Sequence, residues 1–210
     1  MIDHIIIITA DLSGDAEWLA ELTGISGTYG GTNPVNHTHN MLFPLVDGAY
    51  LELLASKPGR PETTARGLPF GLDSVTSRSV AGWAASVPDF DTCVARARAA
   101  RVPLGEIVDM QRTRPDGVTL RWRMTYPSER YPARLCPFLI DWGATVPPQR
   151  SLGDADRLAL VSFDTLATVA SQVTAWLGAL GVLADARIVT SDRCGFSLVV
   201  QGPKGTAAIS

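Results

Sequence analysis

Apolar residues in this chain fall in short runs between polar turns, and the spacing within the runs alternates between strand-like and helix-like. IDHIIIITADL, residues 2–12, holds an unbroken apolar run from Ile5 to Ile8, the pattern of a strand buried on both faces. An imidazole, His4, stands at its head. The period then changes. Ala16, Leu19, Ala20 and Leu22, with Trp18 alongside, recur near helical spacing. Asp11 or Ser13 can cap the start of that helix, and Gly24 can end it in a left-handed conformation. A Gly-rich passage, TYGGTNPVNHT, follows. Two apolar strands, NMLFPLV and AYLELLA, then flank Asp47-Gly48, a dipeptide that favours a hairpin.

The same order returns. VAGWAASVPDF reads as a strand and DTCVARARAARV as a short helix with Cys93, Val94 and Ala97 inward. EIVDMQRTRPDGVTLRWRMTYP reads as a hairpin turning at Asp116-Gly117, and RLCPFLIDWG as a last strand. A third pass is shorter: RLALVSF as a strand, DTLATVASQVTAWLGALG as a helix, then ARIVTSD and GFSLVVQG as two strands. Asp11, Asp89 and Asp164 each stand where strand gives way to helix, 78 and 75 residues apart. Near-constant spacing of that kind predicts a repeated βαβββ module. Residues 55–79 and 147–157 are rich in Pro, Gly and Ser, and are expected to be linkers or covering loops.

Composition narrows the classes. With 210 residues, 46% hydrophobic and 19% charged, the chain reads as globular, with room for one sizeable domain or two small ones. A net charge of −3 without a basic block argues against a nucleic-acid partner. No apolar stretch approaches the ~18 residues of a membrane span, so no membrane partner is expected. The three cysteines, Cys93, Cys136 and Cys194, are odd in number and have no CxxC spacing. They read as reduced, buried residues of a cytoplasmic protein. Serine-hydrolase, dinucleotide, phosphate-loop and HExxH motifs are missing from the sequence.

A chain of βαβββ units that opens with DH before an apolar run and closes its first unit with an LEL strand resembles the vicinal oxygen chelate superfamily. Within it, the chain is most similar to glyoxalase-like domains. IDHIIIITADL, WLAELTG, THNMLFPL, YLELL, RPDGVTLRW and PFLIDWG carry the likeness across most of residues 2–143. The resemblance implies an α+β fold. Paired βαβββ modules over residues 1–148 would form curved mixed sheets, half-open, with a partial third βαββ module over residues 157–210 packed on the same domain. It also implies a cup for a divalent metal (Zn, Ni, Mn, Fe or Mg) with ligands from the first and last strands of each module. Adjacent strands set inward side chains about 5 Å apart, close enough for single residues from several strands to meet at one ion.

Laid on this chain, that pattern puts His4 at the first ligand position, seven residues before Asp11, and Glu52 of YLELL at the second. Glu52 is a lone carboxylate in an apolar strand and needs a partner. The third position, seven before Asp89, is Gly82, so the expected imidazole is missing; the fourth is Asp141. Seven before Asp164 comes Arg157, which does not ligate metals. The candidate metal set is therefore His4, Glu52 and Asp141. The alternative is a hydrogen-bonded His4–Glu52 pair with no ion. Trp83, beside the gap, is either a pocket wall or ordinary core. His37 and His39 lie at a loop-to-strand boundary, and the resemblance places His39 and Asn40 in the cup lining. Imidazole acid–base chemistry must come from His4, His37 or His39, the chain's full set; His39 and Glu52 are the candidates for moving a proton. In TLRWRMTY, Arg121 and Arg123 share one face. That face either clamps a substrate carboxylate or enolate, or meets solvent.

Three functions compete. The resemblance implies a metal-dependent lyase, isomerase or dioxygenase acting on a vicinal-oxygen substrate. A metal-free protein that binds or sequesters a small molecule, of the bleomycin-resistance type, is the alternative, favoured by Gly82 and Trp83. A third reading is a module that forms a homodimer through an exposed sheet edge.

Overall fold

A computed structural model describes residues 1–34, 36–59, 68–126, 128–152 and 156–210. The first unit comprises β1 (Ile2–Ile8), α1 (Leu12–Thr23), β2 (Thr28–Asn33), β3 (Thr38–Pro44) and β4 (Tyr50–Ser56). The second comprises β5 (Ser79–Ser86), α2 (Phe90–Ala99), β6 (Ile107–Thr113), β7 (Thr119–Thr125) and β8 (Phe138–Asp141). A four-residue helix, α3 (Pro148–Ser151), leads to the third: β9 (Ala159–Ala167), α4 (Ala170–Leu180), β10 (Arg187–Thr190), β11 (Gly195–Gln201) and β12 (Thr206–Ile209). The fold is α+β, with tandem βαβββ units in curved mixed sheets.

Local chemistry explains the element ends. Asp11 and Asp89 cap α1 and α2, accepting the backbone N–H groups of Gly14 and Thr92. The hairpins turn at Gly48 and Gly117, with φ of 81° and 84°, which side chains rarely adopt.

Three features differ from the expectation. TYGGTN, read from the sequence only as a Gly-rich passage, is a strand. The third unit has an extra strand, β12, and so the full βαβββ order. Asp164 lies inside β9, where Arg187 binds its carboxylate through two hydrogen bonds of 2.6 Å. With that pairing, the strand runs on to Ala167 and the helix starts after Val169 without a side-chain cap. The third strand–Asp–helix junction is therefore not real, and the position of Arg157 relative to it carries no meaning.

The first eight strands close into a barrel in the order β1-β4-β3-β2-β6-β7-β8-β5. The expected cup was half-open. Closure comes at β2–β6, where a single pair, Thr32 with Thr113, joins the two units. Gly31 makes this possible: its φ is +111°, and a Cβ there would collide with the Thr113 carbonyl oxygen.

Side chains alternate between two cores. Ile6, Ile8, Leu54, Met110, Met124 and Ile140 point into the barrel, where Leu68, Phe70 and Leu72 pack against them. Residues 68–72 thus cover the barrel from within the 55–79 stretch; residues 60–67 of that stretch lie outside the described residues. Ile5, Ile7, Leu51, Leu53 and Leu139 point outward, against α1, α2, α4 and the third unit. That unit's four-stranded sheet has the order β10-β9-β11-β12. Phe163 of β9 meets Trp83 edge-on at 5.8 Å and stacks on Phe196 at 5.8 Å. Arg96 of α2 donates to the Ala179 carbonyl at the end of α4 at 2.9 Å. No helix among the described residues is long and apolar enough to cross a membrane.

Candidate functional site

The site begins with an irregularity in β1. The pairing with β5 shifts register between Ile2 and His4. A bulge of this kind re-aims side chains, and Asp3 and His4 are both buried, 2% and 4% exposed. His4 lines the barrel interior, its ring stacked on Tyr50 of β4 with 4.7 Å between centroids and 19° between planes. Phe138 of β8 meets the same ring at a tilt, 5.6 Å away. Asp3 Oδ1 lies 2.7 Å from His4 Nδ1, which fixes the ring and turns Nε2 toward Glu52, whose Oε2 is 3.5 Å away. Asp3 is held in turn by Trp142 Nε1–H at 3.0 Å and Gln149 Nε2–H of α3 at 3.4 Å.

Glu52 finds the partner that its apolar strand demanded. The Asn40 side-chain amide of β3 donates to Oε1, and an Arg112 Nη of β6 lies 3.5 Å from the same oxygen. Around this polar floor stand apolar walls. Trp122 of β7 and Trp142 tilt against each other at 5.2 Å, and Phe70 faces Phe138 at 6.1 Å. The cavity is about 80 Å³, room for several waters or a small organic molecule. Burial, then the Asp3 and Glu52 carboxylates, push the Tyr50 phenol well above its ordinary range, against the opposing pull of Arg112. Tyr50 therefore stays neutral at physiological pH.

The structure brings His4, Glu52 and Asn40 together; the other sequence candidates lie elsewhere. Asp141 alternates outward, between the inward-facing Ile140 and Trp142, and pairs with Arg123 at 2.8 Å. It stands on the barrel's outer surface, so the set His4, Glu52 and Asp141 does not converge. Arg121 and Arg123 share that outer face, and Arg123 also binds Asp91 at 3.2 Å. Trp83 is fully buried on the opposite side of β5, in the outer core, and does not line the barrel cavity. His39 touches the cavity rim. Its cross-strand partner Ala55 belongs to the outer core, though, and its ring meets Tyr29 edge-on at 6.3 Å. Burial first, then Lys57, lower the His39 pKa, against a hydrogen bond with the Ser56 backbone. His37 lies in the turn before β3, with φ of 49°.

Two residues of the site escaped the sequence reading. Asp3 was passed over as the neighbour of His4, and its role depends on the bulge. Arg112 carried a usable signal: Val108, Met110 and Arg112 share one face of β6, so a cation continues an apolar stripe. Arg112 is 5% exposed.

These residues do not fit a divalent metal. One imidazole and one carboxylate meet at the cavity floor, with His39 only at the rim, and the carboxylate already accepts from Asn40 with a guanidinium beside it. The Gly82 position is not vacant space: a Cβ there would lie 3.1 Å from the Phe70 ring. Among the described residues, no three His, Cys, Asp or Glu side chains are placed to hold an ion.

The family model described as "Glyoxalase-like domain" matches residues 2–181. A hypothetical protein from Staphylococcus aureus has a similar solved structure, at a TM-score of 0.62 and 18% identity, covering 100% of this chain and 85% of that one. Methylmalonyl-CoA epimerase from Mycobacterium tuberculosis aligns at a TM-score of 0.48 and 19% identity, over 71% of this chain and 91% of the epimerase. A variant of 4-hydroxymandelate synthase from Streptomyces coelicolor aligns at 0.48 and 13% identity, over 99% of this chain and 61% of the synthase. No curated protein matches the chain.

Proposed function

Because the chain belongs to the glyoxalase-like domain family of the vicinal oxygen chelate superfamily, we propose that it takes a small, partly aromatic molecule into the barrel and binds it without a resident divalent metal. One observation carries this reading. The carboxylate facing the cavity, Glu52, already accepts from Asn40, and Asp3 holds the His4 ring, beneath aromatic walls. Such a floor orients a ligand through a few polar groups, and the walls supply the contact area. Trp122 and Trp142 line the cavity, so their fluorescence reports on its contents.

Titration with a set of small aromatic and carbonyl compounds is expected to change that emission, and Trp122→Phe to reduce the change. Elemental analysis of the purified protein is expected to find divalent metal well below one equivalent. One equivalent of Zn, Ni, Mn, Fe or Mg that disappears in both His4→Ala and Glu52→Ala would overturn the metal-free reading.

A second reading, an isomerase or lyase, is favoured by a single contact. His4 Nε2 faces Glu52 while Asp3 holds the far nitrogen. In that case Glu52 takes a proton from carbon next to a ligand carbonyl and His4 stabilises the carboxylate's orientation. Deuterium from solvent then enters the ligand, and Glu52→Gln abolishes the exchange.

A further inference from the structure

Resting on the reading of the barrel as a small-molecule site, we propose that its occupant is a small aromatic carboxylate, and that Arg112 is the residue that recognises it. A guanidinium carries five N–H donors in a planar fork. The Arg112 side chain is 6% exposed, yet among the described residues it meets one acceptor, Glu52 Oε1, at 3.5 Å. That is well beyond the ~2.7–2.9 Å of a charge-assisted hydrogen bond. Its Nε–H has no partner among the described residues.

Glu52 is better supplied, because the Asn40 amide donates to the same oxygen. The contact between Arg112 and Glu52 is therefore not a closed ion pair. It leaves a buried cation short of acceptors, an arrangement that is costly unless another group completes it.

The missing acceptors have a shape. Two coplanar oxygens match the guanidinium fork and a single carbonyl does not. Leu120 stands opposite Arg112 across β6 and β7, and Trp122 opposite Met110. An aromatic body attached to the carboxylate thus lies among Trp122, Trp142 and Phe70, and a single ring suits a cavity of about 80 Å³. The clamp that the sequence suggested for Arg121 and Arg123 falls to Arg112, because the strand beside theirs turns its arginine inward. Glu52 competes for the same guanidinium and repels the ligand, so it weakens binding.

The test is a titration of the full chain with benzoate and with benzamide, its uncharged isostere, by tryptophan emission and calorimetry. Benzoate is expected to bind at least about tenfold tighter than benzamide. Arg112→Gln should erase that preference, bringing benzoate affinity down to the level of benzamide, while Glu52→Gln should raise benzoate affinity several-fold. If circular dichroism shows Arg112→Gln misfolded, Arg112→Lys replaces it; the charge without the fork should retain only part of the preference. Benzamide binding as tightly as benzoate, an undiminished preference in a folded Arg112 variant, or no benzoate binding at millimolar concentration overturns the carboxylate assignment. In each case the wider reading stands or falls separately, on whether other compounds move the Trp122 and Trp142 emission.

Discussion

Gly82 is where one residue decides most about this site. It shares the inward parity of Ile6, its partner on β1, and an imidazole there would point toward His4 and Glu52. The Phe70 ring occupies that space, 3.1 Å from where a Cβ would stand. Phe70 itself takes a φ of 62°, which a bulky residue adopts only when its surroundings hold it there. Gly82→His alone is therefore expected to destabilise the fold by about 1–3 kcal/mol through overpacking and to bind no divalent ion. Combined with Phe70→Ala, it clears room for a third donor, and a Zn²⁺ titration by calorimetry should then show binding. Binding by the single variant would mean that the Phe70 ring yields easily.

At the scale of elements, the barrel depends on the β2–β6 seam and on the tie between β7 and β8. Gly31→Ala places a Cβ against the Thr113 carbonyl at a φ that L-residues avoid. The seam should open, and the Thr32 and Thr113 amides should exchange hydrogen faster while those of β1 keep their protection. On the other side, Arg123 first, then the Gly143 backbone N–H, hold the Asp141 carboxyl below its ordinary pKa, against a smaller effect of burial. A depressed carboxylate contributes stability above its unfolded pKa, near 3.8, and that contribution fades as pH falls through the folded value. Asp141→Asn should flatten the acid limb of a urea-stability profile below about pH 4 and leave it unchanged near neutrality beyond a constant offset. The half-exposed position of the pair keeps the effect modest.

For the whole molecule, the third unit acts as a wall. It lines no part of the barrel cavity, yet Phe163 packs between Trp83 of the barrel and Phe196 of its own sheet. Phe163→Ala should cost about 3–5 kcal/mol in a single urea transition, because one outer core joins all three units. Two separate transitions would mean that the third sheet unfolds on its own. Below the transition, the variant's Trp122 and Trp142 emission should still respond to ligand, since neither ring touches that core.

Periodicity and turn chemistry made much of this legible in advance. The Asp11 and Asp89 caps, the Gly48 and Gly117 turns and the order of units through β8 rest on interactions between residues close in sequence. The inward-facing His4 and Glu52 were legible too, because a lone polar group in an apolar strand must have a buried partner. Strand parity at Asp141 and Trp83 was not legible. A short strand buried on both faces shows no alternation, so neighbouring positions look alike until something packs on each side. Asp164 misled for a related reason: a carboxylate at a strand–helix boundary resembles a cap unless one knows that Arg187 lies beside it. Arg112, Phe70 and the bulge at Asp3 reach the site only through barrel closure, which joins residues far apart in the chain. Sequence alone settled most of the elements, β2, β12 and the start of α4 excepted; tertiary contact settled most of which side chains meet, because facing is decided by what lies across the gap.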